Sequence, residues 1–218
     1  MKMRYRSTLM TMLLLFALVL TSFLDSGTAE ASGAPAVSKV KNLIRVPLTR
    51  QGTDYTCGVT ALQSIFGYYG IDKRQDELST AAKSTPEEGT SYKHIASYAQ
   101  SQGFDVNIRT NMTIDELKGY IDKRKPVLVL IQAWTESHYT ADRNEDGHYV
   151  VAIGYDKNNI YFMDPSTLGH YTYIPAAEFV SRWHDSDTKD SEVLVRFGMI
   201  MTKTVTTPYN ADEITRLD

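Results

Sequence analysis

The sequence predicts an α+β protein, with helices in its first half and an antiparallel sheet in its second. Three observations carry that reading. Apolar residues between positions 57 and 121 recur at the three-and-four spacing of helices with one buried face. Val127 to Ile131 are all β-branched or apolar, as in a strand covered on both sides. From His148 onward, short apolar runs alternate with turn residues, the pattern of paired strands.

Taken in order, Asn42–Leu48 reads as a short strand through Leu43, Ile44 and Val46. Leu62, Ile65, Phe66 and Tyr69 define a helix that opens at Cys57 and stops at Gly70. Gln75–Lys83 forms a second helix, closed by Thr85-Pro86. Thr90 caps a third that runs to Gln102, with Ile95, Tyr98 and Ala99 on one face. Phe104–Ile108 is a strand. Thr113-Ile114-Asp115-Glu116 is a capping box, which opens a fourth helix stopped by Pro126. After Val127–Ile131, a polar stretch from Trp134 to Gly147 leads into the strand His148–Tyr155. Asp156–Asn159 turns the chain back through Ile160–Met163. Tyr171–Ile174 is a strand, Ala176–Trp183 a helix and Val193–Thr202 the last strand. His184 falls in a charged loop.

The leading residues have the layout of a secretory signal. Lys2, Arg4 and Arg6 precede a nearly continuous apolar run, Leu9–Leu20, and Ala29-Glu30-Ala31 offers a small-x-small cleavage site. The run is shorter than the ~20 residues a bilayer span needs, so removal is expected over a retained N-terminal anchor. The organisation expected is therefore a signal peptide at 1–31, a flexible lead-in at 32–41, one domain at 42–203 and a polar tail at 204–218. The product is expected outside the cytoplasm, secreted or wall-associated, as a monomer with no stable membrane insertion. Of 23 Lys+Arg and 26 Asp+Glu, three cations and two anions leave with the leader. A mildly acidic chain of this kind has no electrostatic claim on nucleic acid.

Cys57 is the only cysteine, so no internal disulfide forms. It stands at a helix N-terminus, where unpaired N–H groups and the helix dipole favour an anion such as a thiolate. Gln51, six residues upstream, can offer an amide donor to an oxyanion forming beside the sulfur. A thiol nucleophile needs an imidazole, and five histidines are available. His94 lies within a helix, while His138, His170 and His184 lie in polar surroundings. His148 stands at the first position of a buried strand, held rigidly yet open to a cleft. The hairpin after it returns Asp164 to the level of His148, and Pro165 ends that strand, so the carboxylate can orient the ring. Trp134, Tyr139 and Tyr149 are candidate cleft aromatics.

Gln51…Cys57-Gly58, Gly147-His148-Tyr149-Val150-Val151 and Asp164-Pro165 together resemble the papain-like bacteriocin-leader (double-glycine) peptidases. The resemblance spans roughly residues 46–201. It implies a papain-like fold, its helical part packed on the sheet, and hydrolysis of peptide or protein substrates without a cofactor. It also implies the roles: Cys57 nucleophile, His148 base, Asp164 orienter and Gln51 oxyanion donor. Family members are cytoplasmic domains fused to transporters. The apparent export signal here means that the chemistry, rather than the double-glycine substrate, is what carries over.

Two rival readings use the same residues: an acyl (γ-glutamyl-type) transferase working through the same thioester, and an exported binding module with a dormant site. Asp142–Gly147 has the D-x-N-x-D-G opening of a calcium loop, but its twelfth position is Ile153 rather than glutamate. No metal site is expected, and no His/Cys pair stands at zinc spacing.

Overall fold

A computed structural model describes residues 40, 42–134, 146–187, 191–204 and 209–217, all within the unit spanning residues 37–218. Helix α1 (Cys57–Tyr68) buries Val59, Leu62, Ile65 and Phe66. It ends where Gly70 takes φ +72°, and Ile71 N–H donates back to the Phe66 carbonyl at 2.9 Å, as helices closed by a glycine do. Helix α2 (Gln75–Ala81) follows. Helix α3 (Tyr92–Ser101) is capped by Ser91, whose hydroxyl accepts from Lys93 N–H. The expected cap was Thr90, but that side chain is buried and hydrogen-bonded to Ser84 Oγ at 2.7 Å. Strand β1 (Asp105–Arg109) precedes helix α4 (Ile114–Asp122), and the Thr113/Glu116 capping box forms with both of its reciprocal bonds.

Strand β2 (Val127–Gln132) is buried at every position. Next come β3 (Gly147–Tyr155), β4 (Asn159–Met163), β5 (Thr172–Pro175) and helix α5 (Ala176–Arg182). Three short strands finish the described part: β6 (His184–Ser186), β7 (Val193–Val195) and β8 (Gly198–Thr202). Among the described residues the main sheet has the order β1-β8-β2-β3-β4-β5, with every pairing antiparallel. The α+β class and the helical-part-on-sheet arrangement are thus as the sequence predicts. Among these residues no helix is long and apolar enough to cross a membrane.

Three segments differ from the sequence reading. Residues 42–48 form no strand, although Ile44 and Val46 are fully buried. A bulge in β3 between Ala152 and Gly154 takes Ile153 out of register with β4, and Ile44 N–H bonds to the Ile153 carbonyl at 2.7 Å. Pro47 has no N–H to continue such a ladder. The expected last strand is broken at Arg196, which has φ +49°. Its first part pairs with β6 in a separate two-stranded sheet, and its second inserts between β1 and β2. The third difference is β6 itself, where His184 is half-buried rather than in a surface loop. Backbone pairing with β7 makes it a strand, with no alternation of side chains to announce it. Beyond the sheet, the C-terminal residues touch the body through Arg45–Asp212, an ion pair at 2.8 Å between largely exposed side chains, a geometry worth little in stability.

Candidate active site

Cys57 opens α1 and is partly exposed. Thr56, at the N-cap, gives the helix no side-chain cap; its hydroxyl instead accepts from Thr53 N–H at 3.2 Å. The first-turn N–H groups beside the sulfur are therefore left without a side-chain partner, the arrangement that binds anions. Gly58 explains how the helix start can sit so close to the sheet. A Cβ there would lie 3.1 Å from both Ile95 Cδ1 and Tyr149 Cδ2, tighter than ordinary packing.

His148 stands on β3 opposite Ile131, and its side chain is 2% exposed. Its Nε2 lies 2.8 Å from Asp164 Oδ1. An ionised carboxylate can only accept, so Nε2 carries the hydrogen and Nδ1, on the opposite edge, is free to exchange a proton. That Nδ1 is buried and has no hydrogen-bond partner among the described residues. Burial opposes the charged ring, but the bond to Asp164, the polar contact with Cys57 and both their charges prevail, so His148 is pushed up to about 9. The Cys57 thiol thus lies close enough to favour imidazolium, without a hydrogen bond of ordinary geometry to Nδ1. Such contacts are often loose before substrate binds.

Asp164 is anchored as firmly as the ring it faces. Oδ1 also accepts from Ser166 N–H at 2.8 Å and Oδ2 from Thr167 Oγ1 at 2.7 Å. Burial raises this carboxyl, but the His148 bond, the His148 charge and these two donors outweigh it and hold it below the usual carboxylate range.

Gln51 reaches the same site by a different route. Its backbone N–H bonds to the Pro165 carbonyl at 3.0 Å, and its Oε1 accepts from Ser166 Oγ at 3.5 Å. Its Nε2 donates to the Thr53 carbonyl at 2.8 Å, a bond that occupies one of two amide hydrogens. The structure thus brings Cys57, His148, Asp164 and Gln51 together.

Sequence reasoning missed Ser166, whose Oγ lies 3.2 Å from His148 Nε2, and Thr167. The Asp-Pro-Ser-Thr string was their available signal, since Asp, Ser and Thr side chains close turns on their own backbone. Trp134 was expected in the cleft; its ring centroid lies 4.9 Å from that of His148. Tyr149 lines a cleft of about 600 Å³ that opens beside Cys57. Tyr139 and His138 lie outside the described residues, as do positions 142–145 of the calcium-loop reading. His94 and His170 are exposed.

A cysteine at a helix start, beside a buried imidazole oriented by a carboxylate on an antiparallel sheet, defines the class of cysteine peptidases with papain-like architecture. Residues 43–190 match the Peptidase_C39 like family, and the chain belongs to it. Over 128 residues it is 29% identical to ComA, a transport/processing ATP-binding protein of Streptococcus pneumoniae; the match covers 58% of this chain and 16% of that protein. The chain therefore corresponds to about a sixth of the length of such relatives. Its fold is similar to the crystal structure of a putative C39-like peptidase from Bacillus anthracis (TM-score 0.58, 18% identity, 77% of this chain and 98% of that one). It is likewise similar to the peptidase domain of Streptococcus ComA (TM-score 0.56, 19% identity, 74% and 99%).

Proposed function

We propose that this protein is an exported cysteine peptidase, its catalytic domain at residues 42–203 behind a removable leader at 1–31, acting as a monomer on peptides or proteins. His148 Nδ1 takes the Cys57 proton and the thiolate attacks a peptide carbonyl. The tetrahedral oxyanion accepts hydrogen bonds from the Gln51 amide and the Cys57 backbone N–H. Collapse of this intermediate breaks the C–N bond as imidazolium returns its proton to the leaving amine, giving a thioester on Cys57. Water, deprotonated by His148, then attacks the thioester and regenerates the thiol. Asp164 holds the ring with Nδ1 towards sulfur throughout and stays ionised.

The observation that carries this reading is the 2.8 Å bond between His148 Nε2 and Asp164 Oδ1, with the opposite ring nitrogen buried and unpartnered beside Cys57. Alkylation by iodoacetamide tests it. Cys57 of the wild-type protein should react at least tenfold faster at neutral pH than Cys57 of His148→Ala, and a peptide library should be cleaved by wild type but not by Cys57→Ala. Equal, slow alkylation of both proteins would sink the proposal.

A further inference from the structure

The cleft beside Cys57 has a one-sided charge. Of the described residues that line it, Asp54, Glu87, Glu88, Asp185 and Asp187 are anionic, and none is a lysine or arginine. A cluster of carboxylates by itself is only a solvated acidic surface, but this one has in its wall a buried polar group with no bond to any described residue. Tyr149 is 5% exposed, lines the cleft, and its hydroxyl has no hydrogen-bond partner among the described residues. A buried hydroxyl left unsatisfied carries a desolvation cost with no bond to offset it, so a ligand atom able to donate to it would remove a standing penalty. Burial and then the charges of Asp187, Cys57 and Asp185 push its pKa well up, which keeps it a neutral phenol that can accept from a cation.

The inner carboxylates are held in place before any ligand arrives. Asp187 Oδ1 accepts from Tyr92 N–H and Oδ2 from Ser91 Oγ, each at 2.7 Å. Asp185 Oδ1 accepts from Gln132 Nε2 at 2.9 Å. The other oxygen of Asp185 explains a glycine: a Cβ on Gly147 would lie 1.8 Å from Oδ2, so the residue before His148 has no side chain because a carboxylate occupies that space. Burial, with Asp146 and Asp187 nearby, pushes Asp185 up to about 6 in spite of its hydrogen bonds, a strain that a bound cation would relieve.

We propose that this cleft is a specificity subsite for a cationic side chain, lysine or arginine, of the peptide cleaved at Cys57. The inference rests on the peptidase reading. A long cationic side chain suits the site better than a metal ion. No group of three His, Cys, Asp or Glu side chains among the described residues is placed to hold a metal, and the cleft is far larger than an ion. Tyr55 and Leu130 in its wall offer apolar surface to a methylene stem, while the head meets the carboxylates and the Tyr149 hydroxyl. Positioning charge around a low-dielectric wall also draws cationic peptides to the cleft at low salt.

The test uses the full chain and quenched fluorogenic peptides in matched pairs, arginine against citrulline and lysine against norleucine, at each position flanking the scissile bond. At one position the cationic peptide should exceed its neutral twin in kcat/KM by tenfold or more, with the ratio shrinking as salt rises. The ratio should fall severalfold in Asp185→Asn, which retains an acceptor for Gln132, and in Glu87→Gln/Glu88→Gln, which alters only exposed positions. It should hold in Asp212→Asn, a control for net charge. Equal rates for both members of every pair overturn the subsite while leaving the peptidase reading intact. If no peptide is cleaved, the peptidase reading fails, and anisotropy with Cys57→Ser decides the subsite. Tenfold tighter binding of the arginine peptide than of its citrulline twin supports it, and equal affinity overturns it.

Discussion

Replacing Asp164 by asparagine removes a charge and almost no volume. The Asn Oδ1 can still accept from His148 Nε2 and from Ser166 N–H, and Thr167 Oγ1 can reverse to accept from the new amide. What is lost is the carboxylate's charge, and with it the charge-assisted strength of the Asp164 bond, the largest influence raising the ring. Burial then acts with less opposition, though the Cys57 contact remains, and His148 should fall from about 9 towards its ordinary 6.5. At pH 7.5 a ring with pKa near 9 is almost wholly imidazolium, whereas one at 6.5 is roughly one-tenth so. Alkylation of Cys57 through the ion pair should therefore slow by up to about tenfold, with a larger loss in turnover because ring orientation suffers too. Stability follows the same titration. A pKa raised on folding adds stability that is complete below about 6.5 and lost as pH rises through about 9, on the order of 3 kcal/mol for wild type. Urea midpoints measured between pH 6 and 10 should fall for wild type and stay nearly flat for Asp164→Asn. A variant whose alkylation profile and stability slope both match wild type would refute the assignment of Asp164 as the partner that charges His148.

Other substitutions separate the remaining parts. Gln51→Ala should lower turnover by about 10²–10³-fold while leaving the rate of Cys57 alkylation near wild type, since iodoacetamide forms no oxyanion; single-substrate kinetics beside the labelling assay reads both. Gly147→Ala places a methyl group in the space of Asp185 Oδ2, so the carboxylate or the start of β3 must move. Urea unfolding should show a loss of about 1–3 kcal/mol, and peptide cleavage should fall with it because His148 is the next residue.

The legible parts of the fold were those where side chains repeat. The buried run Val127–Ile131, the three-and-four pattern after Cys57 and the Thr113/Glu116 capping box each announce their element through chemistry local to it. The illegible parts were decided by backbone partners distant in sequence. Residues 42–48 meet the sheet only at the β3 bulge, where Ile44 bonds to Ile153, and His184–Ser186 gains a strand from β7. The site divides in the same way. Cys57, His148 and Asp164 could be placed from a helix start and a hairpin because those fix position within a few residues. Ser166 enters through a turn whose hydrogen bonds cross to another loop, and no spacing in the sequence encodes that crossing. The acidic cleft was equally hidden, since its carboxylates come from three separate stretches of chain.

That crossing changes how the four polar residues should be counted. Gln51 N–H bonds to the Pro165 carbonyl and Arg50 Nη1 to the Ser166 carbonyl at 2.6 Å. Ser166 in turn gives its own N–H to Asp164 Oδ1 and its hydroxyl to Gln51 Oε1. The turn that fixes the carboxylate behind the imidazole therefore also fixes the loop carrying the amide donor. Orienter and oxyanion donor form one mechanical unit, although they lie 113 residues apart. A substitution that loosens this turn without touching a reacting atom, such as Ser166→Gly, should lower turnover through both partners at once. Its effect combined with Gln51→Ala should then fall well short of the sum of the two separate losses, the signature of residues that share a network.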